Sequence, residues 1–303
     1  MAKIEFSAEN SARLDKIIAE NTELSRSYAV KLIESGFVTV DGKAADKKDA
    51  VKVGAAVSIE IPEAEQTEIL PENIPLDIVY EDEDLLVVNK PKGMVVHPAA
   101  GHYTGTLVNA LMYHCRDNLS GINGVTRPGI VHRIDMNTTG VLVACKNDAA
   151  HIFLSEQLAV HSITRKYNAI VHNSFKENSG TVDAPIGRHH IDRKKMAIDY
   201  KNGRNAVTHY SVISNYGKYA HIECQLETGR THQIRVHMSS IGHPLLGDDV
   251  YGSGKSPYRL EGQTLHARVL GFVHPSTGKY MEFEAPLPDY FKEIIVDLEN
   301  KCK

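Results

Sequence analysis

The sequence predicts an α+β fold in two parts. A small α+β domain over residues 1–62 is followed by a linker over 63–75, and a larger α+β domain over 76–303 is built on a mixed or antiparallel sheet with flanking helices. Three observations carry this. The β-rich segments of the second part are not evenly interleaved with helical ones, as a doubly wound parallel sheet would require. The stretch from Ile61 to Pro75 holds three prolines and several glutamates without apolar periodicity, the composition of a solvated linker. Charge also changes across it: nine basic and 14 acidic residues precede Pro75 against 25 and 24 after it, so the formal net charge of −4 resides in the N-terminal part. At 303 residues, 42% hydrophobic and 24% charged, the chain is long enough for about two globular domains, which excludes disordered and fibrous classes.

In the first part, Leu14, Ile17 and Ile18 recur at helical spacing, and Ser25 is placed to cap a second helix that carries Tyr28, Ala29, Leu32 and Ile33 on one face and stops at Gly36. Phe37 to Val40, the turn Asp41-Gly42 and the extended run Val51 to Ile61 then read as a small sheet with a hairpin. Arg13, Lys16, Arg26, Ser27 and Lys31 form a polar edge on the helices, which is equally compatible with an ordinary solvated face.

In the second part, an acidic turn over Val79 to Asp84 leads into a strand reaching Val88, which is expected to resume at Val95-Val96 after Lys90-Pro-Lys-Gly93. Further strands are expected at Val141–Cys145, Tyr167–Val171, Ala206–Ile213, Ala220–Leu226 and Tyr280–Ala285. Helices are expected at Thr106–His114, Asn147–Val160 and His232–Ile241, the last capped by Thr231.

Four scattered cysteines (Cys115, Cys145, Cys224, Cys302) offer no C-x-x-C pair and no disulfide framework, which fits a reducing cytosol. Charged residues alternate with apolar ones through the first 20 positions, unlike a secretory leader, and no apolar run approaches the ~18 residues of a membrane span. A cytoplasmic protein without a membrane partner is therefore expected. As a whole-chain average, the net charge of −4 gives no reason to propose a nucleic-acid partner.

Three constellations carry candidate chemistry. Residues 127–145 deliver His132, Arg133 and Asp135 from an apolar segment into the turn Asn137-Thr-Thr-Gly140, which holds a carboxylate and a guanidinium at the mouth of a sheet. An Asx-type turn in which Asp135 merely serves the backbone explains the same spacing. Residues 226–237 present His232 and Arg235 at i, i+3 on a helix. An arginine there suits a buried carboxylate or a phosphate, while His232 and His237 lack the partners of a metal site. Residues 187–204 gather six Lys or Arg (Arg188, Arg193, Lys194, Lys195, Lys201, Arg204) against two Asp, which is either a solvated loop or a phosphate-contacting one.

Taken together, these stretches resemble a known family along nearly the whole chain. His132-Arg-Ile-Asp135 with Thr-Thr-Gly, Leu86-Val-Val-Asn-Lys-Pro-Lys-Gly93, His97-Pro98, Arg165-Lys-Tyr-Asn-Ala169, Pro185-Ile-Gly-Arg188, Asp192-Arg-Lys-Lys-Met196, Thr228-Gly-Arg-Thr-His-Gln-Ile-Arg235, Gly242-His-Pro-Leu-Leu-Gly-Asp248 and Leu265-His-Ala267 are similar, in order, to the RluA-type RNA pseudouridine synthases, those of the ribosomal large subunit above all. Arg13-Leu-Asp15, Ser25-Arg26-Ser27, Ile33, Gly36, Val38, Val40 and Asp41-Gly42 resemble the alpha-L RNA-binding motif. Ile134 stands where leucine is usual, a swap that conserves volume.

The resemblance implies an enzyme that breaks the uridine N1–C1′ bond, turns the base and rejoins it through C5. Redox and energy input play no part, so neither a cofactor nor a metal is expected. It implies that Asp135 is the catalytic aspartate, that Arg235 is its counterion in a water-poor pocket, and that Tyr167 is the active-site tyrosine. Arg133 would take the place of the flipped base, and Arg188, Arg193, Lys194 and Lys195 would grip the RNA, with Arg13 and Arg26 contacting it from the first domain. Lys90, His97 and His132 are expected as scaffold or pocket lining. The partner is RNA, ribosomal RNA foremost, met by a monomer. Transfer RNA is the alternative substrate, and a non-catalytic RNA-binding or ribosome-assembly factor the rival class. A glycosidase fits less well, for want of a second carboxylate.

Overall fold

The computed structural model describes residues 2–46, 49–62, 69–99, 101–116, 118–122, 124, 127–192, 195–252 and 256–302. The chain divides into two compact units, Met1–Thr67 and Glu68–Lys303.

In the first unit, β1 (Ala2–Ser7), β2 (Ala12–Arg13), α1 (Leu14–Asn21), α2 (Arg26–Glu34), β3 (Val38–Val40), β4 (Lys43–Ala44), β5 (Ala50–Val51) and β6 (Ala56–Ile61) succeed one another along the chain. The strands form an antiparallel sheet β1-β6-β3-β4, with β2 paired to β5 beside it. Ser25 caps α2 by accepting from the Tyr28 N–H, and Leu14, Ile17, Ile18, Ala29, Leu32 and Ile33 are buried against Val38, Val57 and Ile59. Asp41 and Gly42 both take positive φ (51° and 75°), as a tight hairpin between β3 and β4 needs. The first strand, β1, was not among the expected elements. Its alternation of Lys3, Ile4, Glu5 and Phe6 is the period of a strand with one face on a core.

The second unit contains β7 (Ile78–Glu81), β8 (Leu85–Lys90), α3 (Leu107–Cys115), β9 (Thr139–Cys145), α4 (Asp148–Ala159), β10 (Thr164–His172), β11 (Ser179–Asp183), β12 (Ile186–Arg188), β13 (Met196–Ile198), β14 (Val207–Asn215), β15 (Tyr219–Leu226), α5 (Gln233–Ser240), β16 (Leu265–Val273), β17 (Tyr280–Glu284) and α6 (Asp289–Lys301). Nine of these strands, among the described residues, form one sheet in the order β11-β14-β15-β10-β16-β9-β8-β7, with β17 on the far half of β16. The sheet is mixed: β9 runs antiparallel to β8 and parallel to β16, meeting the latter at Thr139 and Gly140. Every residue of β9 is buried, so a continuous apolar run marks the middle of the sheet.

Three expectations need correction. The residues from Val79 to Glu81, expected in an acidic turn, belong to strand β7 paired with β8. Val95 and Val96 do not resume the strand; their carbonyls accept from the N–H groups of Leu107 and Val108, so they serve the start of α3, where Thr106 and Asn109 form a capping box. Of the stretch expected as linker, residues 63–68 lie outside the described ones, and the segment from Ile69 to Glu72 packs within the second unit. Ile69 is buried in its core, Leu70 O accepts from Asn109 Nδ2, and Glu72 accepts from the Gly105 N–H.

Candidate active site

Asp135 sits on the segment that feeds β9. The turn after it is closed by its backbone carbonyl, which accepts from the Thr138 N–H, and not by its carboxylate. The Asx reading thus gives way to one in which the side chain is free to face elsewhere. Gly140 fixes where this segment enters the sheet. With φ at 110°, it lies against Ala267 of β16, and a Cβ would collide with the Ala267 carbonyl. Lys90 stitches the same segment from below: its buried Nζ donates to the carbonyls of Pro91, Met94 and Met136 at 2.8, 2.9 and 3.0 Å. Burial pushes the Lys90 pKa down to about 7, against the pull of Asp135. Only the charged ammonium serves all three carbonyls, so near neutral pH its two forms lie close in free energy.

Arg235 comes from α5. Thr231 does not cap this helix; His232 is the cap residue, at φ 56°, and makes no side-chain cap bond. The start of α5 is fastened by Gln233, whose Oε1 accepts from Thr228 Oγ1 and the Arg230 N–H while Nε2 donates to Val207 O and Thr208 Oγ1. Arg235 is buried between two carboxylates. Nε and Nη2 donate to Asp248 at 2.7 and 3.0 Å, and Nη1 donates to Asp135 Oδ2 at 3.0 Å. Burial by itself would lower the guanidinium pKa, but Asp248 and then Asp135 hold it above its ordinary value. Asp248 is fixed in turn by the N–H groups of Val250 and Tyr251. Asp135 Oδ1 remains turned toward His232 Nε2, 3.9 Å away. His237 belongs to the core instead, its ring nitrogens bonded to Thr208 Oγ1 and Ala184 O.

Tyr167 lies on β10, opposite Cys224 of β15 and Ala267 of β16, where the register to β16 shifts. It is buried, and burial holds its phenol above the ordinary pKa, so it keeps its proton. Asp135, Tyr167 and Arg235 line one small cavity of about 50 Å³ together with Arg133, Leu226, Arg230 and His232. The structure therefore brings the three expected catalytic residues together. Beside it, a larger cavity of about 580 Å³ shares Arg133, Tyr167, Leu226 and Arg230 and adds His97, Arg127, His132, His161 and Arg165. Among the described residues, no carboxylate lines this cavity. Arg165 is buried, donates through Nη2 to Glu227 O at 2.8 Å, and leaves Nε without a partner among the described residues. His132 Nε2 accepts from the Val143 N–H, and burial followed by the charge of Arg165 pushes its pKa down to about 3. His97 is pushed down to about 4 by burial, then by Arg133 and Arg127. Both rings are neutral, and Arg127, Arg133, Arg165 and Arg230 bring permanent positive charge to the cavity.

The expected RNA-gripping residues are placed less uniformly. Arg133 is exposed at the rim of both cavities. Arg188 ends β12 and Lys195 precedes β13, on a hairpin closed by the His189 N–H donating to Lys195 O; Arg193 and Lys194 lie outside the described residues. Arg13 and Arg26 of the first unit both pair with the buried Asp15, at 3.0 and 2.8 Å, while most of each side chain stays exposed. Sequence reasoning passed over Asp248, Arg165 and Tyr251 as site residues. A signal for Asp248 was available: an arginine on a buried helix face needs more negative charge than one carboxylate shared with chemistry can give.

Among the described residues, Asp82, Asp84 and His274 form the one grouping of metal-ligand type, and its acids are engaged. Asp82 accepts from Tyr80 Oη, His274 Nε2 and the N–H groups of Asp84 and Leu85, and Asp84 accepts from Ser276 Oγ. No helix among these residues is long and apolar enough to cross a membrane.

Comparison with known proteins identifies the family. Residues 84–240 match the RNA pseudouridylate synthase family and residues 12–57 match the S4 domain. An RNA pseudouridine synthase of Bacillus subtilis is 52% identical over 293 residues, covering 96% of each chain. The ribosomal large subunit pseudouridine synthase D of Zymomonas mobilis is 50% identical over 303 residues, covering 95% of each, and that of Pseudomonas aeruginosa is 47% identical over 92% of this chain and 89% of its own. Among solved structures, human RNA pseudouridylate synthase domain containing 4 superposes with a TM-score of 0.57 at 28% identity, over 73% of this chain and 92% of that one. Sequence motifs, mixed-sheet fold and relatives along nearly the full length agree: the chain belongs to the RNA pseudouridine synthases of RluA type, with an S4 domain ahead of the catalytic unit.

Proposed function

We propose that the chain converts particular uridines of large-subunit ribosomal RNA to pseudouridine, with Asp135 as the reacting carboxylate. One observation carries the reading. Asp135 lines the small cavity and is gripped through Oδ2 by Arg235 while Oδ1 lies 3.9 Å from His232 Nε2, beside a cavity rich in arginine and, among the described residues, lined by no acid. A carboxylate so held suits an electron-poor ribose carbon or the base itself, and the cations beside it suit the phosphates of the strand that carries the base. Relatives named for the large ribosomal subunit, at 47 to 50% identity, support the choice of RNA.

The target uridine leaves its stack to reach Asp135, and Arg133, whose flat cation stacks and binds phosphate, fills the vacated place. Tyr167 packs its ring against the base. The N1–C1′ bond breaks, the base turns, C5 bonds to C1′, and the hydrogen lost from C5 is matched by the one gained at N1, so no co-reactant is consumed. Tyr167, holding its proton, is suited to pass hydrogen at the C5 step rather than to act as a phenolate.

Mapping pseudouridines in cells that lack the protein tests the assignment. Sites should disappear from large-subunit ribosomal RNA and return with the intact gene but not with Asp135→Asn. Loss confined to transfer RNA would move the substrate, and a full ribosomal pattern without the protein would overturn the reading.

A further inference from the structure

Three polar groups connect the basic hairpin to Asp135. The backbone N–H of Met196, the first residue of β13, donates to Tyr251 Oη over 2.8 Å. Tyr251 Oη lies 2.8 Å from His232 Nδ1. His232 Nε2 faces Asp135 Oδ1, the oxygen that Arg235 leaves free, at 3.9 Å. A backbone N–H can only donate, so the Tyr251 oxygen accepts there and keeps its own hydrogen to donate, with His232 Nδ1 within reach as acceptor. A neutral imidazole that accepts at Nδ1 carries its hydrogen on Nε2, and that N–H points at Asp135.

The members of this relay are held firmly. His232 takes φ 56°, a left-handed conformation that costs a non-glycine residue energy and persists only where its surroundings impose it. Its ring meets Tyr251 edge-on, with centroids 5.6 Å apart. Tyr251 is pinned by its own N–H to Asp248 and lies under the Arg235 guanidinium at 5.1 Å. A movement of β13 therefore reaches His232 by way of the Tyr251 hydroxyl, alongside the apolar packing of Met196 and Ile198 with Val236 of α5.

We infer that Tyr251 and His232 are positioning residues that couple RNA seated on β12 and β13 to the orientation of Asp135. The inference rests on Asp135 being the reacting carboxylate, as proposed. With RNA on the hairpin, β13 carries Met196 toward α5, the Tyr251 hydroxyl turns the imidazole, and the Nε2–H closes the gap to hydrogen-bonding distance. Asp135 then has a donor on each oxygen and a fixed plane. Without RNA its donor, among the described residues, is Arg235 alone, and it can swing about that bond.

Tyr251→Phe keeps the ring and removes the link. On the full-length protein, single-turnover pseudouridine formation at saturating RNA should fall about tenfold while RNA Kd stays within about twofold. Nitrogen-15 spectra of the parent should show His232 with its hydrogen on Nε2, and the variant should lose that preference. Replacing Arg193, Lys194 and Lys195 by alanine should lower the saturated rate in the parent but not further in Tyr251→Phe, a non-additivity that a purely structural tyrosine would not produce. Should Tyr251→Phe fold poorly, His232→Asn, which tolerates the positive φ, must show the same rate loss and the same non-additivity. A parental rate in the folded variant, additive effects, or a parent His232 protonated on Nδ1 would each overturn the coupling. Asp135→Asn separates the two levels: if it turns over normally the catalytic reading fails, whereas an inactive Asp135→Asn beside an undiminished Tyr251→Phe sinks the coupling alone.

Discussion

Arg235 donates through Nη1 to Oδ2 of Asp135 over 3.0 Å, joining two residues 100 positions apart in sequence. That single bond decides which carboxylate oxygen is restrained and which is left on the His232 side. Asp135→Asn should therefore abolish turnover, by ~10³-fold or more, while leaving RNA affinity within a few-fold of the parent. Rapid-quench assays and filter binding on the same preparation would check this, and a variant that turns over at the parent's rate would remove Asp135 from the chemistry.

Arg235 also neutralises the buried Asp248, so its replacement has a structural cost. Arg235→Met leaves Asp248 buried without a counterion and should lower stability by ~3 kcal/mol or more. Arg235→Lys keeps the charge, cannot make all three bonds, and should lose less stability but most of its activity. Denaturant titrations and kcat measured side by side separate the two effects. Equal losses in both variants would mean that charge, and not the fork, is what matters.

Lys90 gives a pH signature. Its folded pKa of about 7 lies below the ordinary lysine value of 10.5 that represents the unfolded chain, so between these limits the unfolded state holds the proton that the folded state has released. Lys90 therefore burdens the fold most below pH 7, and its contribution improves as pH rises toward 10.5. The stability of the parent minus that of Lys90→Met should grow over this window. A gap that stays flat from about pH 7 to 10 would show that the ammonium keeps its proton on the three carbonyls.

Gly140 admits no side chain where β9 meets β16. Gly140→Ala must displace Ala267 or the strand that carries it, and should cost ~3 kcal/mol or more with a matching fall in Tm. A fall below ~1 kcal/mol would mean that the two strands separate easily at this point.

The basic hairpin is tested by salt. Replacing Arg193, Lys194 and Lys195 by alanine should reduce the slope of log K against log salt for RNA binding by about two units. An unchanged slope would take these side chains out of the interface.

Much of this was legible in the sequence, and the gaps have physical causes. Helices α3 and α4 announce themselves by Thr106 and Asn147, side chains that cap in the structure as their position suggests. β16 was hidden because its pattern changes partway: Leu265 to Val269 alternates around His266 and Arg268, while Val269 to Val273 is apolar throughout except for Gly271, so neither period holds over the whole strand. α6 carries Phe291, Ile294 and Leu298 at helical spacing, but the prolines before it read as loop when they mark its start. At the site, Asp135 could be named from its motif, yet spacing alone could not choose between a carboxylate serving a turn and one serving a pocket. The choice is made by Arg235, which reaches Asp135 only through the fold. The relation of Tyr251 to His232 was invisible for a related reason: it depends on a left-handed φ at His232, where the sequence suggests a regular helical turn begun by Thr231.

The distance in sequence between Asp135 and Arg235 has a consequence for synthesis. The aspartate leaves the ribosome long before the arginine that restrains it, and Asp248 emerges later still. Contacts between residues so widely separated close slowly. The growing chain thus displays the S4 domain and an unrestrained carboxylate first, and the restraint on Asp135 arrives only once Arg235 and Asp248 have emerged and met it.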